Sequence, residues 1–264
     1  MEENEMKIVS WNCRYGLTKE KITALFAAEY KADLYAIQEV TNNEDTLADF
    51  KDLGENQDLY GDHKEFEWND KKGGDLGIAI FSKKYKIERI SGNWNKYRYV
   101  VPYSICRANG EEICKVIHIW TKTADKNLND SEDYIQQVIH ACEDDSLKSI
   151  LFPENKKAIW LGDFNSSLQL SQKRYKALHE KFLKIMDKHG YKSAWHLANH
   201  VEHGKERPNN RTFFQQYITT NSFFNDYIFI NPDVCSLKKS SVAHFKQFIG
   251  ISDHCPIMAE LELK

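Results

Sequence analysis

Short apolar runs recur along the chain at residues 7–11, 34–38, 77–81, 100–106, 113–120, 158–161, 226–230 and 256–263. Each is brief and rich in β-branched or aromatic residues, which favours strands over helices. Between them, three stretches repeat their apolar positions at helical spacing. Thr18 can cap a helix that carries Ile22, Leu25 and Phe26 on one face. Tyr134, Ile135, Val138, Ile139 and Cys142 mark a second. The third has Tyr175, Leu178, Phe182, Ile185 and Met186 on its stripe and Gly190 as its stop. Many strands with few, irregularly placed helices argue against a barrel of alternating strands and helices. Two mixed sheets packed together with helices outside fit the pattern. No repeat, low-complexity tract or linker divides the sequence, so residues 1–5 read as a tail and 6–264 as a single domain.

Composition narrows this picture. The 264 residues are 41% hydrophobic and 12% aromatic, enough for a sizeable core. With a net charge of −3 and no long basic block, charge-driven wrapping of nucleic acid is not implied. Six scattered cysteines form no Cys-x-x-Cys pair and no disulfide framework. The acidic start Met1-Glu2-Glu3-Asn4-Glu5 has no signal-peptide pattern, and no apolar run approaches a membrane span. The expectation is a soluble, reduced, cytoplasmic protein with no obligate protein partner.

The chemistry gathers where apolar runs end. Ile159-Trp160-Leu161-Gly162-Asp163-Phe164-Asn165 delivers a carboxylate and an amide two residues apart, and in an extended segment both would point the same way. Asn12 ends the first run and Glu39 the second. His118 lies in Val116-Ile117-His118-Ile119-Trp120, Asp226 opens a later run, and Asp253-His254 precedes the last. If these ends cluster, carboxylates, imidazoles and amides make a hard, oxygen-rich cavity. That suits Mg²⁺ or Mn²⁺ rather than a soft metal. Alone, each fragment also reads as an ordinary strand end or turn.

In combination and order, these fragments resemble the endonuclease/exonuclease/phosphatase superfamily, the DNase I-like phosphodiesterases, over nearly the whole length. The resemblance implies a four-layer αββα sandwich with the site at one end of its two sheets. It also implies phosphoester hydrolysis with a divalent metal. By the same resemblance Glu39 is the main metal ligand, Asn12 helps hold metal or phosphate, and Asp253 is a further metal-side carboxylate. Asp163 orients or deprotonates the attacking water, and Asn165 steadies the phosphate. His254 closes the site with Asp226 orienting it. His118 is a second imidazole, and Asp75 aligns with an acidic partner for it. Asp163 and a His–carboxylate pair both stand as candidate general bases, and one metal or two stays open.

Ser252-Asp253-His254-Cys255-Pro256-Ile257 looks like the closing motif of abasic-site endonucleases, yet Arg14 stands where those enzymes carry an acid or amide. They also use a tyrosine where His118 stands. Trp160 to Asn165 resembles the inositol polyphosphate 5-phosphatase motif, without that branch's Pro-x-Trp-Cys-Asp-Arg block. Arg207 and Arg211 are candidate contacts for backbone phosphates, and Trp68, Trp94, Tyr97 and Tyr99 candidate stacking residues. The expected activity is a Mg²⁺-dependent phosphodiesterase, a nuclease acting on DNA or RNA. The alternatives are an enzyme for a small phosphoester or phospholipid headgroup and a catalytically silent binding module.

Overall fold

The structure, a computed structural model, describes residues 4–27, 29–41, 53–60, 76–91, 97, 100–122 and 134–264. Along the chain run β1 (Glu5–Asn12), α1 (Lys19–Ala27), β2 (Leu34–Thr41), β3 (Asn56–Tyr60), β4 (Leu76–Ser82), β5 (Lys86–Arg89), β6 (Val100–Cys106) and β7 (Glu112–Trp120). Then come α2 (Ile135–Glu143), β8 (Ala158–Asp163), α3 (Lys173–Lys188), β9 (Lys192–Ser193) and α4 (Ala194–Asn199). The chain closes with β10 (Phe213–Phe214), β11 (Ser222–Phe223), β12 (Asp226–Ile230), β13 (Cys235–Val242) and β14 (Ile257–Leu263).

Six strands form a first sheet in the order β13-β14-β1-β2-β4-β3, and six form a second in the order β5-β6-β7-β8-β12-β9. Both are mixed: β1 runs parallel to β2 and β7 parallel to β8, while the other neighbours are antiparallel. The sheets pack face to face. Ile8, Ala36 and Ile80 of the first share one buried cluster with Val101, Val116 and Leu161 of the second. On the outer side of the first sheet, Trp11, Tyr35, Ile37 and Phe81 bury Ile22 and Leu25 of α1. On the far side of the second, Phe182 of α3 packs against Phe164 and Phe229. The result is the four-layer α/β/β/α sandwich.

Every apolar run read from the sequence becomes a strand, because a segment covered on both faces must be apolar on both. The strands without such a signal lie at edges. β5 is largely exposed, and β13 carries exposed Lys238 and Lys239 beside a register shift between Leu237 and Lys239. Charges and irregularity are how edges avoid pairing with other chains, and they erase the apolar signature. Thr18 stands at the start of α1, its Oγ1 3.4 Å from the Lys21 amide, and Gly190 follows α3 with φ 81°. Among the described residues, no helix is long and apolar enough to cross a membrane.

Candidate active site

The sheets present their ends at one place for reasons of register. β8 ends at Asp163, and its antiparallel pairing sets Asp163 directly opposite Asp226, the first residue of β12. β1 ends at Asn12, level with Gln38 of β2. Between Gln38 and Val40 the β2–β4 register shifts, which leaves Glu39 as an extra residue with φ 61°. Such a bulge re-aims a side chain, and a left-handed non-glycine backbone costs about 1–3 kcal/mol that the surrounding fold sustains. Gly162, just before Asp163, has φ 134° and lies so close to β7 that a Cβ there would fall 1.8 Å from the Ile119 carbonyl oxygen. Only glycine lets the strand that carries Asp163 approach so closely.

Hydrogen bonds join the two sheets at this end. Asn12 Nδ2 donates to Glu39 Oε1 at 3.0 Å and to Asp163 Oδ2 at 2.9 Å. Asn165 Nδ2 donates to Asp163 Oδ2 at 2.9 Å and to the Thr121 carbonyl at 2.8 Å, and its amide N–H donates to Asp163 Oδ1 at 2.9 Å. The closeness of Asp163 and Asn165 therefore has a different cause from the strand alternation read in the sequence. β8 has ended, Asn165 is left-handed at φ 45°, and a turn folds its amide back onto the carboxylate. His254 Nδ1 lies 2.9 Å from Asp226 Oδ2, and its Nε2 lies 4.0 Å from Asp163 Oδ2. The first is a hydrogen bond. The second is too long for one.

Asp163, Asp226 and His254 are all buried, so their charges act with little screening. Burial and then the neighbouring Asp226 charge push the Asp163 carboxyl up, against the pull of His254, Asn12 and the Asn165 N–H. Burial opposes the charged form of His254, but Asp226 and Asp163 outweigh it and hold the imidazole protonated, with a pKa of about 10. Two carboxylates share one imidazolium.

Residues to which the sequence assigned no role build the frame. Lys21 is buried and its ammonium donates to the carbonyls of Cys13, Arg14 and Gly16, tying down the loop after β1. Thr212 Oγ1 accepts the Asn225 and Asp226 amides at 2.9 and 3.0 Å, which seats the start of β12. Ser252 Oγ donates to the Asn12 carbonyl at 2.9 Å and accepts the His254 amide at 3.0 Å. Trp11 Nε1 donates to the His254 carbonyl at 3.0 Å from 243 positions away. No local pattern announces partners so distant in sequence.

The other candidates make contacts of their own. Asp253 faces Arg14, with its Oδ2 3.4 Å from the guanidinium Nε, and Arg14 also bonds the Tyr217 hydroxyl. His118 is fully buried between the sheets, its Nε2 2.6 Å from Gln38 Nε2 and its Nδ1 without a partner among the described residues. Burial drives its pKa down to about 3, so it is neutral. Asp75, the carboxylate aligned with it, lies outside the described residues, as do Trp68, Trp94 and Tyr99. Arg207 is exposed, whereas Arg211 spends its guanidinium on the Glu206 and Ser222 carbonyls. Tyr97 is buried in the core.

The cluster suits a divalent cation. Asp163, Asp226 and His254 lie within 4.8 Å of one another, Glu39 adjoins through Asn12, and Asp226 Oδ1 is buried without a partner among the described residues. The two Asp carboxylates and Glu39 are the donors, since the protonated His254 has no free nitrogen to give. Carboxylate oxygens match a hard ion. The nearby Cys13 and Cys255 thiols are pushed up by burial and stay protonated, so they offer no thiolate.

No curated protein sequence matches the chain significantly. Solved structures share its fold. The endonuclease/exonuclease/phosphatase from Bacteroides vulgatus is 17% identical, with 99% of this chain and 100% of that chain covered and a TM-score of 0.64. The 3' phosphatase NExo from Neisseria, solved with a product DNA hairpin, is 16% identical over 98% of this chain and 99% of its own, with a TM-score of 0.65. The AP endonuclease LMAP from Leishmania major is 13% identical, with 100% and 90% covered and a TM-score of 0.67. At such identities the likeness speaks for the fold alone. The family model of the Endonuclease/Exonuclease/phosphatase family, however, matches residues 9–254, from the middle of β1 to His254. With that match spanning both sheets and the cluster at their ends, the chain belongs to the endonuclease/exonuclease/phosphatase family of hydrolases.

Proposed function

We propose that this protein is a Mg²⁺-dependent phosphodiester hydrolase, a cytoplasmic nuclease whose single domain spans residues 6–264. One observation carries the reading: Asn12 ties Glu39 to Asp163 at the end of the sandwich where Asp226 holds His254. Glu39, with Asp253 and the side-chain Oδ1 of Asn12, would hold the Mg²⁺, and Mn²⁺ suits the same oxygens. When bound, the ion offsets negative charge on the phosphoryl and leaving oxygens.

The remaining work falls to side chains. Asp163, steadied by Asn12 and Asn165, orients or deprotonates the attacking water, and its raised proton affinity suits that task near neutral pH. His254 carries a proton on an Nε2 not taken by Asp163 and donates it to a phosphoryl or leaving oxygen. Asp226 keeps it charged and aligned. Asn165 meets the phosphate, and His118 is the second, neutral imidazole behind the site. Arg207 is assigned to the substrate side with Asp75, while Arg211, held by the Glu206 and Ser222 carbonyls, braces the segment that leads to Asp226.

Arg14 favours a second reading. It stands with Asp253 and Tyr217 beside the cluster as a fixed cation, which suits a terminal phosphate or a small phosphoester. The test is cleavage of supercoiled plasmid and of end-labelled oligonucleotides, some 3'-phosphorylated, with EDTA and Glu39→Ala as controls. Mg²⁺-dependent cleavage abolished in both controls is the expected result. Folded protein that leaves every nucleic acid intact but hydrolyses a small phosphoester overturns the nuclease reading in favour of the second.

A further inference from the structure

Away from the catalytic end, on the outer side of the second sheet, three ligand-bearing side chains converge without serving the chemistry above. His196 lies in α4, and His203 and Glu206 follow on the loop after it. One ligand atom of each lies within 4.8 Å of the others. His196 and Glu206 are buried, and His196 and His203 line a cavity of about 320 Å³ with Leu183, Met186, Tyr191 and Phe229.

The cluster is prepared on two of its members and unfinished on the third. His196 Nδ1 sits 2.8 Å from Ser193 Oγ, and its Nε2 sits 2.7 Å from Glu206 Oε1. Glu206 Oε1 also accepts the Gly204 N–H at 2.9 Å, and Oε2 accepts Gln169 Nε2 at 2.5 Å. Ser193, Gly204 and Gln169 are outer partners of the kind that orient an imidazole and a carboxylate toward a metal, and the proton shared by His196 Nε2 and Glu206 Oε1 is released to solvent as the ion enters. His203 is different. Its ring stacks on His196 with centroids 3.7 Å apart, yet its Nδ1 is buried with no hydrogen-bond partner. A stranded buried nitrogen costs about 1–3 kcal/mol. Among the described residues nothing satisfies it.

We infer that His196, His203 and Glu206 form a second cation site for a zinc-class ion, closed by rotation of His203 about its side-chain bonds in the cavity it lines. Two imidazoles and one carboxylate with room for a water are a zinc-type donor set and a poor one for Mg²⁺. The ion staples the loop after α4 to its helix. It also sits at the root of the segment that seats Asp226. Glu206 gives its carbonyl to Arg211 at 3.3 Å, Arg211 reaches the Ser222 carbonyl at 2.8 Å, and Gln169 Oε1 accepts the Phe224 amide at 2.8 Å. The site is thus structural, with an indirect hold on the catalytic end.

The experiment uses the full chain freed of metal by a chelator and then saturated with Mg²⁺. Co²⁺ is titrated in and read by its visible d–d absorption, then displaced with Zn²⁺, while thermal unfolding is followed in parallel. We expect about one equivalent of tetrahedral Co²⁺ and a higher melting temperature with Zn²⁺. His203→Gln, which keeps bulk at a half-buried position, and Glu206→Gln should each weaken binding more than about tenfold. Glu39→Ala should bind Co²⁺ unchanged, whatever becomes of its activity. Absence of a stoichiometric d–d band, binding indifferent to both His203→Gln and Glu206→Gln, or binding lost in Glu39→Ala overturns the assignment.

Discussion

Two buried histidines of this molecule are pushed in opposite directions. His118 stands in β7 between the sheets, where burial alone carries its pKa down to about 3 and a Gln38 amide is its partner. His254 stands on the loop before β14, where burial also disfavours charge but Asp226 and Asp163 reverse the outcome and raise the pKa to about 10. Depth is the same in kind for both. Charge within hydrogen-bonding reach makes the difference. At neutral pH His254 holds a proton that it can give, while His118 offers only a neutral ring.

The strongest way to break this contrast is Asp226→Asn, which removes the carboxylate 2.9 Å from His254. His254 should then titrate more as a merely buried imidazole does, and hydrolysis should fall by about two to three orders of magnitude. Steady-state rates together with an NMR titration of the His254 ring check both. A ring that still titrates as before, or a full rate, would dissolve the distinction. His118→Ala acts on the other partner of the comparison. It opens a cavity and strands Gln38, so urea unfolding should show a loss of about 2–4 kcal/mol. Its effect on rate should be smaller than that of His254→Ala; an equal loss of rate would mean that His118 shares the proton chemistry.

The smallest effect is a pH dependence in the metal-free protein. The pKa of His254 is raised from 6.5 to about 10, so the stability it contributes is complete below 6.5 and disappears as pH rises through about 10. Asp163 works in the same direction at lower pH, because its raised pKa makes ionisation destabilising as pH climbs from 3.8 through about 7. The gap in urea midpoint between the wild type and His254→Gln should therefore narrow between pH 6.5 and 10. A gap that stays constant or widens would show that the two carboxylates do not hold the imidazole charged.

Legibility in the sequence followed local physics. Strands covered on both faces announced themselves as apolar runs, whereas β5 and β13, at sheet edges, carried no such run. Asn12, Glu39, Asp163 and Asp226 could be picked out because each abuts such a run. Lys21 and Thr212 could not, and Ser252 entered only as part of the closing motif, with no role of its own. Their hydroxyls and ammonium bind backbone groups that local sequence does not pair with them, as Ser252 does with Asn12 from 240 positions away.

By itself, the sequence determined which segments must be buried, where strands end in carboxylates, amides and imidazoles, and that these donors are hard rather than soft. Those are properties of residue type and spacing. The tertiary structure decided that Glu39 would be turned inward by a bulge, that Asp163 would face Asp226, and that Asn165 would return through a turn. It also decided that one buried histidine would be charged and the other neutral. Register, bulges and buried charge arise only when distant strands meet, and no stretch of chain carries them alone.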